Sequence, residues 1–378
     1  MTGRALALVA LMLLSGASAA GAETAPVVLV TPLAYGMHMP GLGDSATKLA
    51  RLIKERSGGA LQLDLKQPGD GTRPDEILDK VSDGKVDAGF ATASFWAAKI
   101  PAASLFSGFP FGPDGRTYLD WFDSGNGRTL YQEMYDHAGV RVHVMPCAFG
   151  GAEAGGWFAR EIKSKDDLKG LRIRIFGLGA RVMAEAGAAT VLLPGGKLAS
   201  AFDKKEIDAA ELYTPAADRD QGLKEKVKLI YIPGWHQPET VLELLVNKDR
   251  WNLLTSEQRG VLDAACKAML QQTLGESAQL EAQALSEMSA KDSVRIATFP
   301  DGVLAALKEA WSKVAKDEGD QDYFFRAVLD DIDKFRTKSA GTPAPPQQPA
   351  GPSPSAPVPP APQGASRPQA QPGSQSLP

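Results

Sequence analysis

Short strand-like runs alternate along this chain with amphipathic helical stretches, and this alternation limits the available folds more than any other feature. The strand-like runs cover residues 26–33, 61–66, 86–91, 140–146, 171–176, 207–212, 228–233 and 241–247. Helical patterns separate several of them, first over 43–56 and then near 73–83. Because strands joined through helices pair side by side in one direction, the pattern predicts an α/β fold with mostly parallel sheets.

One short device occurs twice, 120 residues apart. Residues 78–93 (LDKVSDGKVDAGFATA) and 198–216 (LASAFDKKEIDAAELYTPA) each combine a helical stretch, a polar turn and a strand that opens with Val or Ile, Asp and Ala. The repeat predicts two similar lobes. A cleft at their junction is the expected ligand site, because open α/β sheets bind ligands beyond the carboxyl ends of their strands.

The two ends of the chain differ in composition from the rest. Residues 1–22 carry one basic residue, then an apolar run and small Ala-x-Ala sites, which is the pattern of a secretory signal peptide. A retained membrane anchor is the alternative, although the run is too short to span a bilayer. Residues 339–378 are rich in Pro, Gln, Gly and Ser without any aromatic residue, so we expect a disordered tail.

The remaining residues divide into three parts by pattern. We assign residues 23–150 mainly to the first lobe and 151–250 mainly to the second, with the chain crossing between them. Residues 251–338 carry a long helical pattern that begins after Thr255, the expected N-cap, and two further helices over 301–317 and 323–337. With the signal peptide, this organisation predicts an exported, periplasmic protein.

Composition and motifs exclude several functions. The formal net charge of -4 argues against a nucleic-acid partner. The four His and two Cys show no metal-ligand spacing, and neither G-x-G-x-x-G nor G-x-S-x-G occurs, so an enzyme is disfavoured. Cys147 and Cys266 are able to pair in an oxidising compartment, but Cys266 lies in an apolar helical pattern (VLDAACKAML), which favours a buried free thiol.

The strand at 171–176 carries arginine where an interior strand should be apolar. Arg172 is expected to face solvent or a sheet edge, whereas Arg174 lies at the carboxyl end, before the glycines of FGLG. A buried guanidinium needs an anionic partner. That partner is either an internal Asp or Glu, or the carboxylate of a ligand bound through two parallel hydrogen bonds.

Several ordered motifs resemble one family. GGAEAGGWFAREIKSKDDLKGLRIR (150–174) resembles the central signature of solute-binding proteins from tripartite ATP-independent periplasmic (TRAP) transporters. EILDKVSDGKVDAGFATASFWAAKIPA (76–102), EAGAATVLLPGGKLASAFDKKEIDAAE (185–211) and PGWHQPETVLELLVNKDRWNLLT (233–255) are similar to further family segments. SFWAAKIPA, DAAELYTP and PGWHQP are most similar to the branch that binds α-keto or hydroxy monocarboxylates.

The resemblance implies a fold and a function. The fold is the two-lobed periplasmic-binding-protein (Venus flytrap) fold, in which a long helix braces both lobes. The lobes close on a small organic carboxylate and deliver it to TRAP membrane permease subunits. The implied ligand-binding residues, led by the carboxylate-gripping arginine, are Arg174, Trp96, Phe176, Glu211, Leu212, Trp235, His236 and Gln237. The long helix either mediates a homodimer, as in some relatives, or only braces the lobes.

In the keto-acid branch, the acidic residue that matches Glu211 helps to hold a metal cation beside the ligand. Three departures argue against a monovalent or divalent cation here: Phe176 stands where Gln is frequent, Gln237 where Glu is frequent, and Leu212 where Trp is frequent. Hard cations require oxygen ligands, which Phe lacks. We therefore predict no cofactor, and a pocket that suits a hydrophobic or aromatic monocarboxylate. A sensor that reports the ligand to a membrane receptor is the alternative function.

Overall fold

The structure of the protein, a computed structural model, describes residues 25–340. The predicted signal peptide (1–22) and nearly all of the predicted disordered tail (339–378) lie outside these residues. The strands are β1 (Val27–Pro32), β2 (Leu61–Lys66), β3 (Ala88–Ala91), β4 (Val142–Gly151), β5 (Gly156–Phe158), β6 (Arg172–Arg174), β7 (Ala189–Val191), β8 (Ala209–Ala210), β9 (Leu229–Tyr231), β10 (Thr240–Asn247) and β11 (Arg295–Ala297).

Helices of very different length connect these strands. They are α1 (Gly43–Arg56), α2 (Ile77–Ser82), α3 (Ser104–Ser107), α4 (Gly115–Ser124), α5 (Gly127–His137), α6 (Gly177–Glu185), α7 (Leu198–Asp203), α8 (Pro215–Asp218), α9 (Lys248–Leu253), α10 (Ser256–Asp292), α11 (Asp301–Gln321) and α12 (Tyr323–Ala340). The helix predicted over 43–56 and the strand over 61–66 have the observed bounds. The repeated device is confirmed as α2–β3 and α7–β8.

The strands form two separate groups, one in each lobe. In the first, β3, β10 and β4 form a sheet in that order, and a single bridge between Leu33 and Phe90 joins it to the parallel pair β1–β2. In the second, six strands follow the order β11-β9-β5-β8-β6-β7. This is the two-lobed α/β fold that the alternation and the repeat predicted.

The prediction of mostly parallel sheets is wrong in one respect. β10 runs antiparallel to β3 and β4, and β5 runs antiparallel to β8 and β9. Each of these two strands is the first after the chain crosses from one sheet to the other, β5 after β4 and β10 after β9. Neither therefore enters its sheet through the helical crossover that joins parallel neighbours. β10 also places part of the range 151–250 in the sheet of the first lobe.

Helix α10 lies against both lobes. Thr255 caps it by accepting a hydrogen bond from the backbone N–H of Gln258, as predicted. Toward the first lobe, Thr273 accepts a hydrogen bond from the backbone N–H of Phe149 in β4 at 2.8 Å. Toward the second lobe, Glu281 accepts one from the backbone N–H of Ala216 in α8 at 2.9 Å. The helix therefore braces both halves.

Cys147 of β4 and Cys266 of α10 form a disulfide. The prediction that Cys266 is a free thiol is wrong, because the packing of α10 along β4 brings together two cysteines that lie 119 residues apart in the chain. Both side chains are buried. The bond fixes the long helix covalently to the sheet of the first lobe.

No helix within residues 25–340 combines the length and the apolar character that a membrane crossing requires.

Candidate functional site

Arg174 is the last residue of β6, and only 9% of it is exposed. Its Nε donates to the carbonyl oxygen of Leu193 at 3.1 Å, and its Nη1 donates to the carbonyl oxygen of Glu211 at 2.5 Å and to Oε2 of the same residue at 3.2 Å. Nη2 donates to no atom of the described residues. The internal carboxylate is thus observed, and one nitrogen of the guanidinium remains open to another acceptor. Arg172, as predicted, lies toward the surface, paired with Asp208 at 2.6 Å.

Strand pairing explains why Glu211 meets Arg174. β8 runs parallel to β6 with Ala210 opposite Arg174, so the next residue, Glu211, lies beside the end of β6. The backbone N–H of Glu211 also donates to the carbonyl oxygen of Arg174 at 2.8 Å. Glu211 is fully buried. A carboxylate at this position is tolerated because a cation lies next to it.

Glu153 and His236 come from the two segments that cross between the lobes, after β4 and after β9. Backbone hydrogen bonds join these segments: Glu153 N–H donates to the carbonyl oxygen of Gln237 at 3.1 Å, and Gly234 N–H donates to that of Glu153 at 2.9 Å. Nε2 of His236 lies 3.1 Å from Oε2 of Glu153 and 3.7 Å from Oε1 of Glu211. The Gln237 amide donates to Oε1 of Glu153 at 2.7 Å. We call Arg174, Glu153, Glu211 and His236 the junction cluster.

Burial and mutual charge set the protonation of the junction cluster. Burial, reinforced by the negative charge of Glu211, raises the pKa of Glu153 to about 8. Burial alone would raise the pKa of Glu211, but His236 and Arg174 together lower it. Burial disfavours charged His236, yet its contacts with Glu153 and Glu211 raise its pKa to about 9.

At neutral pH the junction cluster therefore carries more positive than negative charge. Arg174 and His236 are cations, Glu211 is an anion, and Glu153 is mostly protonated. A buried group of charges with a positive surplus is stabilised by an additional anion. The site suits a small anionic ligand.

Aromatic side chains lie beside the cluster. The ring of Tyr35, from the first lobe, meets that of Tyr213, from the second, at a centroid distance of 6.0 Å in a T-shaped arrangement, and Phe95 lies 5.8 Å from Tyr35. Burial, with Glu153 nearby, raises the pKa of Tyr35 well above its usual value. Tyr35 therefore stays a neutral phenol, able to donate or accept a hydrogen bond at the junction of the lobes.

The other predicted residues fall into different surroundings. Phe176 lies 5.9 Å from the guanidinium carbon of Arg174, measured to its ring centroid. Trp235 is buried against Phe111 and lies edge-on to the ring of His236. Leu212 is buried in the apolar core of the second lobe.

A cavity of about 20 Å³ lies between Ser94 and Ala97 on one side and Phe176–Gly179, His236 and Gln237 on the other. Two larger cavities are lined by residues around the amino-terminal ends of β6, β8 and β9 and contain no residue of the cluster.

Trp96 belongs to a buried polar chain in the first lobe. Its indole N–H donates to the Tyr135 hydroxyl at 2.6 Å, and that hydroxyl lies 2.9 Å from both carboxyl oxygens of Glu243. Burial raises the pKa of Glu243 to about 8. The polar edge of Trp96 is therefore satisfied internally, and the residue supports the lobe from within.

We predict that Glu243→Gln changes how stability depends on pH. Because the carboxyl of Glu243 has a higher pKa in the folded than in the unfolded chain, the wild type loses stability as pH rises from 5 to 8, by about 3 kcal/mol from this group. Because glutamine does not titrate, the free energy of unfolding of the variant does not fall with pH through this group. Urea unfolding at several pH values measures it, and Glu257→Gln, an exposed exchange on α10, is the control. Equal slopes for wild type and Glu243→Gln would contradict the prediction.

Sequence reasoning did not find Glu153, Tyr35 and Tyr213. Glu153 lies inside the quoted GGAEAGG segment, where an acidic residue between glycines was the available signal. Tyr35 lies just beyond β1, and Tyr213 just beyond β8. Both follow the carboxyl end of a strand, the position where open α/β sheets bind ligands.

The fold and the site together define a two-lobed binding protein for a small anion. The family model for bacterial extracellular solute-binding proteins, family 7, matches residues 41–321. The monocarboxylate 2-oxoacid-binding periplasmic protein of Nostoc sp. (strain PCC 7120) is 30% identical over 291 residues, which are 77% of this chain and 79% of the relative. The chain therefore belongs to solute-binding protein family 7, in the TRAP monocarboxylate branch that its motifs predicted.

Solved structures agree with this assignment. A TRAP solute-binding protein from Bordetella bronchiseptica, with co-purified calcium and picolinate, has a TM-score of 0.78 at 25% identity, covering 84% of this chain and 94% of that one. One from Colwellia psychrerythraea, with calcium and pyruvate, has a TM-score of 0.78 at 27% identity, covering 83% and 95%. One from Pseudoalteromonas atlantica, with sodium and pyruvate, has a TM-score of 0.77 at 26% identity, covering 83% and 95%. These relatives are binding proteins rather than enzymes.

The junction cluster is a poor match to the hard cations of these relatives. Glu153, Glu211 and His236 place one ligand atom each within 4.8 Å of one another, the spacing of a metal site. Calcium, however, takes about six to eight oxygen ligands, and Phe176 and Leu212 contribute no side-chain oxygen. Nε2 of His236 faces both carboxyls, and the Gln237 amide donates to Glu153. The side chains of the cluster therefore offer fewer oxygen ligands than calcium takes.

Proposed function

We propose that this chain captures a small monocarboxylate of the 2-oxo or hydroxy acid class between its two lobes and delivers it to the membrane subunits of a TRAP transporter. The observation that carries the proposal is the buried Arg174 at the junction of the lobes, whose Nη2 donates to no atom of the described residues. Relatives with the same fold bind pyruvate and picolinate. The chain then acts by binding, without catalysis.

Binding in this proposal begins at Arg174. Nε and Nη1 are fixed by Leu193 and Glu211, so the guanidinium is held in one orientation before the ligand arrives. The ligand carboxylate accepts from Nη2, and charge-assisted hydrogen bonds of this type contribute about 1.5–3 kcal/mol each. The surplus positive charge of the cluster is then neutralised.

Closure of the lobes follows from contacts on both sides of the junction. Arg174 belongs to the second lobe, and Tyr35 with Phe95 belongs to the first. A ligand that touches both groups binds the closed form more tightly than the open form and so shifts the population toward it. The closed form is the one that the permease would recognise. Phe176, whose ring lies beside the guanidinium of Arg174, favours an acid with an apolar body.

Export to the periplasm is part of the proposal. It is supported by the predicted signal peptide, by the periplasmic Nostoc relative and by a disulfide, which persists in oxidising compartments. A homodimer through α10 stays a prediction.

Titration calorimetry with purified protein tests the proposal. The panel contains pyruvate, 2-oxobutyrate, lactate and picolinate, and methyl pyruvate serves as the uncharged control. We expect at least one acid to bind and the methyl ester to bind at least about tenfold more weakly than pyruvate. If no acid binds, or if the ester binds as tightly as pyruvate, the proposal is wrong.

A further inference from the structure

His236 lies in the middle of the junction cluster. Its ring is only 5% exposed, and Nε2 lies 3.1 Å from Glu153 and 3.7 Å from Glu211. One imidazole thus contacts both buried carboxyl groups, which come from different segments of the chain. A nearby positive charge stabilises the buried anion of Glu211 and a second carboxyl so close to it.

We propose that the imidazolium of His236 supplies the positive charge that calcium or sodium supplies in the cation-bound relatives, so that this chain binds its carboxylate ligand without a metal ion. The inference rests on the proposed function of the site. It concerns the residue that provides the charge and therefore goes beyond the capture of the acid itself.

The surrounding backbone is shaped to hold the ring. A Cβ on Gly234 would contact the carbonyl oxygen of Glu153 and come within 3.1 Å of Cε1 of His236, and a Cβ on Gly179 would come within 3.1 Å of the His236 Cβ. Glycine at 234 is required by the close approach of the Glu153 carbonyl, and glycine at both positions avoids crowding His236. Trp235 lies edge-on to the ring, at a centroid distance of 5.7 Å. The ring is therefore held in place by its neighbours.

The charges around the ring favour its protonated form. Glu153 and Glu211 both face Nε2, and their contacts outweigh burial in raising the pKa of His236. A metal ion placed between the same two carboxyls would meet the N–H of an imidazolium, and two cations at that distance repel each other. The imidazolium and a metal ion therefore exclude each other at this position.

The second ring nitrogen offers a contact to the ligand. Nδ1 of His236 is buried and has no hydrogen-bond partner among the described residues. In the imidazolium this nitrogen carries a proton, and a buried N–H without an acceptor is costly. The ring borders the small cavity beside Phe176. An oxygen of the bound acid would accept a hydrogen bond from Nδ1. This hydrogen bond would take the place of a bond between that oxygen and a metal ion.

The test compares pyruvate and picolinate affinities, by calorimetry, in chelator-treated metal-free buffer and in the same buffer with added calcium or sodium. For the wild type we expect affinities that agree within about threefold, and no heat from calcium alone. For His236→Gln we expect at least a tenfold loss in metal-free buffer, about 1.4 kcal/mol, with partial recovery when calcium is added. His143→Gln, at a histidine stacked on Trp251 away from the cluster, is the control and should behave like the wild type.

Two results would overturn the inference. The first is a wild type whose affinity for pyruvate or picolinate falls when metal ions are removed and recovers when calcium or sodium is added. This result is obtained with the wild type alone and does not depend on the folding of a variant. The other is a folded His236→Gln that binds as tightly as the wild type in metal-free buffer. Binding that depends on a metal would refute the inference alone, whereas a failure of every acid under every cation condition would refute the proposed function and the inference with it.

Discussion

Arg174→Ala is expected to lower the affinity for the carboxylate ligand by at least about a hundredfold, because it removes the charge-assisted donor Nη2 and the main cation of the cluster. Without the guanidinium, the buried Glu211 keeps only His236 as a cationic neighbour. Positive and negative charge in the cluster then balance, and the electrostatic reason to accept an anion disappears. Calorimetry with pyruvate measures the loss, and circular dichroism checks that the fold is intact.

Two further variants sharpen this experiment. Arg174→Lys should recover little affinity, since one ammonium group cannot bond Leu193, Glu211 and a ligand in the planar arrangement of a guanidinium. Arg172→Ala is the matched control, because Arg172 lies on the same strand but pairs with Asp208 at the surface. Unchanged affinity in folded Arg174→Ala, or an equal loss in Arg172→Ala, would contradict the assignment of Arg174 as the ligand anchor.

Replacing both cysteines with alanine should lower the free energy of unfolding by about 2–5 kcal/mol. The disulfide between Cys147 and Cys266 closes a loop over a separation of 119 residues, and a cross-link of this length strongly restricts the unfolded chain. It also fastens α10 to the first sheet. Urea unfolding of the oxidised wild type and the double variant measures the difference.

Reduction supplies the control for this prediction. A thiol reductant should destabilise the wild type to about the level of the double variant and should leave the double variant unchanged. Equal stability of the oxidised wild type and the double variant would show that the bond contributes nothing. The ligand affinity of the double variant should stay close to that of the wild type, since neither cysteine belongs to the junction cluster.

Much of the fold was predictable from local patterns. The helix α1 and the strand β2 have clear periodicity and end at turns, and their bounds were predicted correctly. The three-residue strands β5, β7 and β11 were not predicted, because three residues cannot show an alternation. The antiparallel course of β5 and β10 depends on where the chain crosses between the lobes, which no local pattern encodes.

The site was predictable where a charge contradicted its surroundings. Arg174 and Glu211 stood out as charged residues at the ends of apolar strands, and the structure places them in contact. Glu153 and Tyr35 did not stand out, since each lies in a loop and meets the cluster only through tertiary folding. The disulfide was missed for the same reason: two cysteines in apolar segments give no sign that a helix and a strand bring them together.

The disulfide between α10 and β4 determines which lobe can move relative to the long helix. The first half of α10 is tied by a covalent bond to the first sheet, whereas its last turns meet the second lobe without a covalent bond, through the buried Met288 and through hydrogen bonds such as those of Glu281 with Ala216 and Asp292 with Lys224. The helix and the first sheet thus form one covalently linked unit, and the closure that we propose moves the second lobe relative to this unit. Because Arg174 belongs to the second lobe, closure brings its guanidinium toward Tyr35 of the first lobe.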